Sequence, residues 1–119
     1  MDELKDRLLS DIELLGIDLD FQLVVKPYSK TFYGRYDPNT RRVFLYVYTG
    51  PKCVTMYPYT DLFYTTLHEV VHHLQWSDPN FVRVRGVMHD PQFYRMYNRY
   101  KAKARALFLR REVIRRVAC

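Results

Sequence analysis

The stretch TDLFYTTLHEVVHHLQW, residues 60–76, constrains this chain more than any other. Phe63, Leu67, Val70, Val71 and Leu74 recur every three or four positions, the period of a helix with one apolar stripe. Thr60 or Asp61 suits the N-cap, and SDPN at 77–80 breaks the run. A helix striped in this way has to lay that face on a sheet or on other helices. At about 100° per residue, His68 and His72 fall nearly opposite the stripe. Being four apart, they point the same way. One helix thus carries both a core face and a pair of imidazoles able to share an ion.

The remaining segments supply what this helix packs against. Leu4, Leu8, Ile12 and Leu15 keep helical spacing and Gly16 ends the run, which predicts a helix over about residues 2–15. FQLVVKP, KTFYGRY and RRVFLYVY are rich in β-branched and aromatic residues and read as three strands. DPNT at 37–40 is a tight turn, so the last two strands form a hairpin. In the third strand Val43, Leu45 and Val47 face one way, and Phe44, Tyr46 and Tyr48 the other. A looser stretch, FVRVRGVMH, follows the histidine helix. Asp90 and Pro91 then read as an N-cap with proline in the first turn. A last helix runs to about residue 117 with Phe93, Met96, Tyr97, Tyr100, Ala104, Leu107, Phe108 and Ile114 on a rough stripe. The order is α-β-β-β-α-α. The expectation is one α+β domain over 1–119: an N-terminal helix, a small three-stranded sheet with a hairpin, the histidine helix and a long C-terminal helix.

His68-Glu69-Val70-Val71-His72 is an HExxH pattern. The two histidines can ligate one ion, while Glu69, one step round the helix, is better placed to take a proton from a water on that ion. Neutral imidazole suits Zn²⁺, and three protein ligands leave a fourth position for water. The third ligand is expected at His89, the only histidine outside the helix. Asp78, six residues after His72, is the alternative, and Glu112 a more distant one. Asp90 either caps the last helix or orients His89. His73 lies far round the helix from His68 and reads as a surface or packing residue. Tyr94 and Tyr97, close to His89 in sequence, are candidate oxyanion donors. Trp76 and Phe93 are expected to pack around the metal helix.

HEVVHH followed by HDPQF resembles the minimal zincins of the SprT-like and related small metallopeptidase families. These pair a helical HExxH with a later histidine, and their order of elements is similar to the one read above. The resemblance implies zinc held by His68, His72 and His89, Glu69 as general base, and hydrolysis of a peptide substrate lying along the sheet edge. Some members act on proteins attached to DNA.

Charge points to a second class of partner. Residues 1–20 hold seven acids against Lys5 and Arg7, whereas nine cations against Glu112 alone follow from Arg95 onward. Arg95, Arg99, Lys103 and Arg110 are the candidate contacts to nucleic acid or an acidic protein. The competing function is therefore a basic binding or assembly protein whose zincin site is structural or vestigial. Cys53 and Cys119 form no CxxC, which excludes a zinc ribbon. The acidic, amphipathic start is unlike a secretory signal, and no apolar run is long enough to span a bilayer, so an intracellular, cytoplasmic protein is expected.

Overall fold

The computed structural model describes residues 1–82 and 88–118; part of the looser stretch, 83–87, and Cys119 lie outside the described residues. The architecture is α+β, with the order α1 (Asp2–Leu14), β1 (Gln22–Lys26), β2 (Gly34–Asp37), β3 (Arg42–Tyr46), α2 (Tyr59–Ser77) and α3 (Pro91–Ala118). Among the described residues no helix is long and apolar enough to cross a membrane.

The sheet runs β1-β3-β2. β3 pairs in parallel with β1, Val24 opposite Phe44, and antiparallel with β2, Tyr36 opposite Val43. The hairpin turn is the expected one: the Asp37 carboxylate accepts the Asn39 N–H at 3.0 Å. Arg41 closes it in the left-handed region at φ 55. The second strand is shorter than KTFYGRY suggests, because Ser29 Oγ accepts the N–H groups of Thr31 and Phe32 at 3.1 and 3.0 Å. That local turn keeps residues 29–32 out of the ladder; the Tyr33 carbonyl still accepts the Tyr46 N–H at 3.0 Å, and the strand begins at Gly34.

Val43, Leu45 and Val47 are fully buried, as their alternation predicts, and α2 lies across them. The predicted N-cap of α2 moves. The helix starts at Tyr59 with Pro58 as its cap residue, and neither Thr60 nor Asp61 caps it. Pro58 sits at φ −56, already suited to the turn, and its carbonyl receives the Leu62 N–H at 3.1 Å. The cap of α3 is as predicted, with Asp90 Oδ1 accepting the Phe93 N–H at 2.9 Å. Phe93 and Ala104 are fully buried on the α3 stripe. Ile114, predicted on that stripe, is instead 61% exposed, because α3 outruns the core.

Three elements meet at Asp11, which is only 2% exposed. Its carboxylate accepts the Tyr59 hydroxyl at 2.6 Å and the Arg111 guanidinium at 2.8 Å. The Arg7 guanidinium stands 3.5 Å over the Tyr59 ring. Burial alone would raise the Asp11 pKa, but the bonds from Arg111 and Tyr59 outweigh it and hold the carboxyl below its ordinary 3.8. A carboxylate lowered in the fold adds stability above its unfolded pKa and loses it as pH falls through the folded value. Asp11→Asn is therefore expected to lose about 1–3 kcal/mol in urea titration at pH 7, the Arg111 half of the pair being discounted for its exposure. The gap between variant and parent should close below about pH 4. A gap that is the same at pH 7 and pH 3 would refute the role given to the charge.

Candidate metal centre

The three histidines singled out in the sequence come together. His89 Nε2 lies 3.0 Å from His68 Nε2 and 3.1 Å from His72 Nε2. Among the described residues they are a group whose ligand atoms all fall within 4.8 Å of one another. His68 and His72 stand on adjacent turns of α2, and His89 is delivered from the loop just ahead of the Asp90 cap. Phe93, on the first turn of α3, backs all three rings at centroid distances of 4.7, 4.5 and 4.9 Å and lies nearly parallel to His72. The far side of α2 is thus roofed by α3, and His72 is only 6% exposed.

This donor set fits zinc. Ligand nitrogens in a tetrahedral site with Zn–N of about 2.1 Å stand about 3.4 Å apart, close to the spacings seen here. Imidazole nitrogens ligate through a lone pair, so the rings must be neutral. Burial, and then the neighbouring His89, push the His68 pKa down to about 4, which keeps that lone pair free at neutral pH. Three nitrogens also leave one coordination position open.

Glu69 sits beside this group, with Oε2 3.9 Å from His68 Nε2. Burial pushes its carboxyl up to about 7, a value at which one group can both take up and release a proton near neutrality. The side chain is held by a close approach of strand to helix. A Cβ built on Gly34 would stand 2.9 Å from Thr65 Cγ2, 3.1 Å from Glu69 Cγ and 3.1 Å from the Phe44 carbonyl oxygen. Only glycine lets β2 come this near α2.

The group opens into a cleft of ≈ 790 Å³ lined by Gly34, Tyr36, Glu69, His72, Trp76 and Tyr97 among others. Of the two tyrosines picked from the sequence, Tyr97 lines the cleft, with its ring 5.7 Å from His68 and stacked on Phe93. Burial raises its pKa, so the hydroxyl keeps its proton. Tyr94 is 48% exposed, with its ring 6.3 Å from His89. Asp78 caps the C-terminal end of α2 and accepts the Asn80 N–H at 2.9 Å, apart from the histidine group. Glu112 pairs with Arg116 at 2.9 Å far along α3. Trp76 is 44% exposed and lines the cleft. Arg95 and Arg110 are exposed, as are Arg99 and Lys103, which lie 5.3 and 5.4 Å from the Tyr100 ring.

Of the two readings left open for His73, the packing one holds: it is fully buried and bonded to Tyr36 and Asp20. The role of Gly34 was missed, although a lone glycine inside a strand pattern is itself a signal of close backbone approach. No protein-family model, curated protein or solved structure matches the chain.

Gly34→Ala tests the seam between β2 and α2. The added methyl must push on Thr65, Glu69 and a backbone oxygen together, and is expected to destabilise the protein by about 1–3 kcal/mol. The urea midpoint measures this, and an unchanged midpoint would show that the seam yields freely.

Proposed function

We propose that the chain is a zinc-dependent peptidase of the minimal zincin kind, with His68, His72 and His89 as metal ligands and Glu69 as general base. The observation that carries this is the convergence of three imidazole Nε2 atoms beside a half-buried glutamate on the wall of a cleft. A zinc ion held there supplies Lewis acidity, polarising a carbonyl and making water acidic enough to ionise near neutral pH. Glu69 accepts the proton that the attacking water gives up as its oxygen bonds to the scissile carbon. The same carboxyl then delivers that proton to the departing amine nitrogen as the carbon–nitrogen bond breaks, so the products are a carboxylic acid and an amine. Tyr97, its phenol protonated, donates a hydrogen bond to the oxygen on which negative charge develops. Phe93 keeps water from the backs of the three rings and fixes their orientation.

Zinc content and turnover together test the assignment. The purified protein is expected to hold about one zinc per chain, and His72→Ala and His89→Ala to lose it. Glu69→Gln should keep the zinc and lose roughly 10²–10⁴-fold in cleavage of a mixed-sequence set of quenched-fluorescent peptides. Stoichiometric zinc in His89→Ala would overturn the ligand set. Undiminished cleavage by Glu69→Gln would overturn the base.

A further inference from the structure

The chain's fourth histidine takes no part in the chemistry above, yet it is fully buried. Both ring nitrogens of His73 are engaged. Nε2 lies 2.7 Å from Asp20 Oδ1, and Nδ1 lies 2.8 Å from the Tyr36 hydroxyl. The bond from His73 keeps the Asp20 carboxyl below its usual range, and a carboxylate can only accept. In the neutral ring the hydrogen therefore sits on Nε2, and Nδ1 is left as a lone pair. Tyr36 must donate its own hydrogen to that lone pair. That leaves the hydroxyl oxygen with acceptor capacity only, on a residue that lines the cleft. A bond serving only to join strand to helix would work with either tautomer, since a hydroxyl both donates and accepts. Asp20 removes that freedom.

The position of this chain of bonds matters as much as its polarity. Thr65, Glu69 and His73 follow one another at four-residue intervals and so share a face of α2. Gly34 lies against the first two of them. Tyr36, two residues further along the same side of β2, reaches the third. Tyr36 therefore stands about 7 Å along the strand from Gly34 and one helical turn past the proposed base. A peptide bound across Glu69 in an extended form passes it, and such a peptide presents N–H groups that need acceptors.

We infer that Tyr36 is a substrate-binding residue whose hydroxyl oxygen accepts a backbone N–H of the bound peptide, with His73 and Asp20 as the positioning residues that commit its hydrogen inward. This rests on the peptidase assignment for the identity of the ligand. It also separates the cleft tyrosines by role, Tyr97 as donor and Tyr36 as acceptor.

The test reads binding and not turnover. A hydroxamate-capped Leu-Phe dipeptide amide is titrated into the zinc-loaded protein, together with versions in which each amide N–H in turn is replaced by N–CH₃. One methylation is expected to weaken binding to the parent protein about tenfold, and in Tyr36→Phe the same methylation should matter less than about twofold. Zinc content, measured alongside, reports that the variant is folded at the site. Asp20→Ala should also shrink the ratio, and Asp20→Asn, which keeps an acceptor oxygen, should restore most of it. Nitrogen-15 NMR of the imidazoles should show His73 protonated on Nε2 alone. Methylation tolerated everywhere, a ratio that survives in Tyr36→Phe, or a proton on His73 Nδ1 would each overturn the assignment. If the probes behave as expected while no peptide is cleaved, the acceptor site stands and the peptidase assignment falls. A chain that takes up no zinc loses both.

Discussion

Almost everything in this fold follows from the burial of α2 on more than one side. Val43, Leu45 and Val47 take its apolar stripe, β2 takes the face of Thr65, Glu69 and His73, and Phe93 of α3 covers the histidines. The polar groups that this enclosure buries cannot turn to water, so they find partners within the protein. Thr66 returns its hydroxyl hydrogen to the Leu62 carbonyl at 2.8 Å, and His73 is bonded at both nitrogens. The three remaining imidazoles meet one another. That arrangement, with His72 buried, His68 half-buried and His89 exposed, leaves nitrogens facing nitrogens, and a cation bound there would make the cluster favourable.

Burial also sets the chemistry. The same loss of water that pushes Glu69 up to about 7 pushes His68 down to about 4. Both shifts favour the neutral group, so a lone pair on His68 lies next to a carboxyl ready to exchange a proton. At Asp11, by contrast, two strong donors accompany burial, and the carboxyl stays ionised. The two carboxyls are thus shifted in opposite directions, and what separates them is the pair of donors, Tyr59 and Arg111, that meets Asp11.

The sequence made the histidine helix legible because its period serves two faces at once, and His89 followed as the only other imidazole. The hairpin and the Asp90 cap were legible because their signals are local. What escaped was tertiary or competitive. Ser29 takes two N–H groups that the strand pattern would have spent on β2. Pro58 starts α2 before either predicted cap, with Tyr59 tied across to Asp11. The sequence left His73 open between surface and packing, because the partners that bury it are 37 and 53 residues away in the chain. No local pattern encodes contacts at that range. Order along the strands told which residues face together, but not that β1 would lie beside β3 in parallel.

The split origin of the three histidines has its own consequence. His68 and His72 belong to α2, while His89 is carried by the segment that begins α3. α3 is held at its start by the Asp90 cap and the Phe93 wedge, and some 30 Å further along by Arg111 on Asp11. A metal joining all three histidines would add a third tie close to the first. Occupancy of the site and docking of α3 on α2 are then linked, because an ion that binds only the docked form stabilises it by mass action. The distant Asp11–Arg111 pair acts on the same equilibrium from the other end, holding α3 down whether or not an ion is bound. Metal affinity at the proposed site would thus be partly a property of the core more than twenty residues from the nearest of the three histidines.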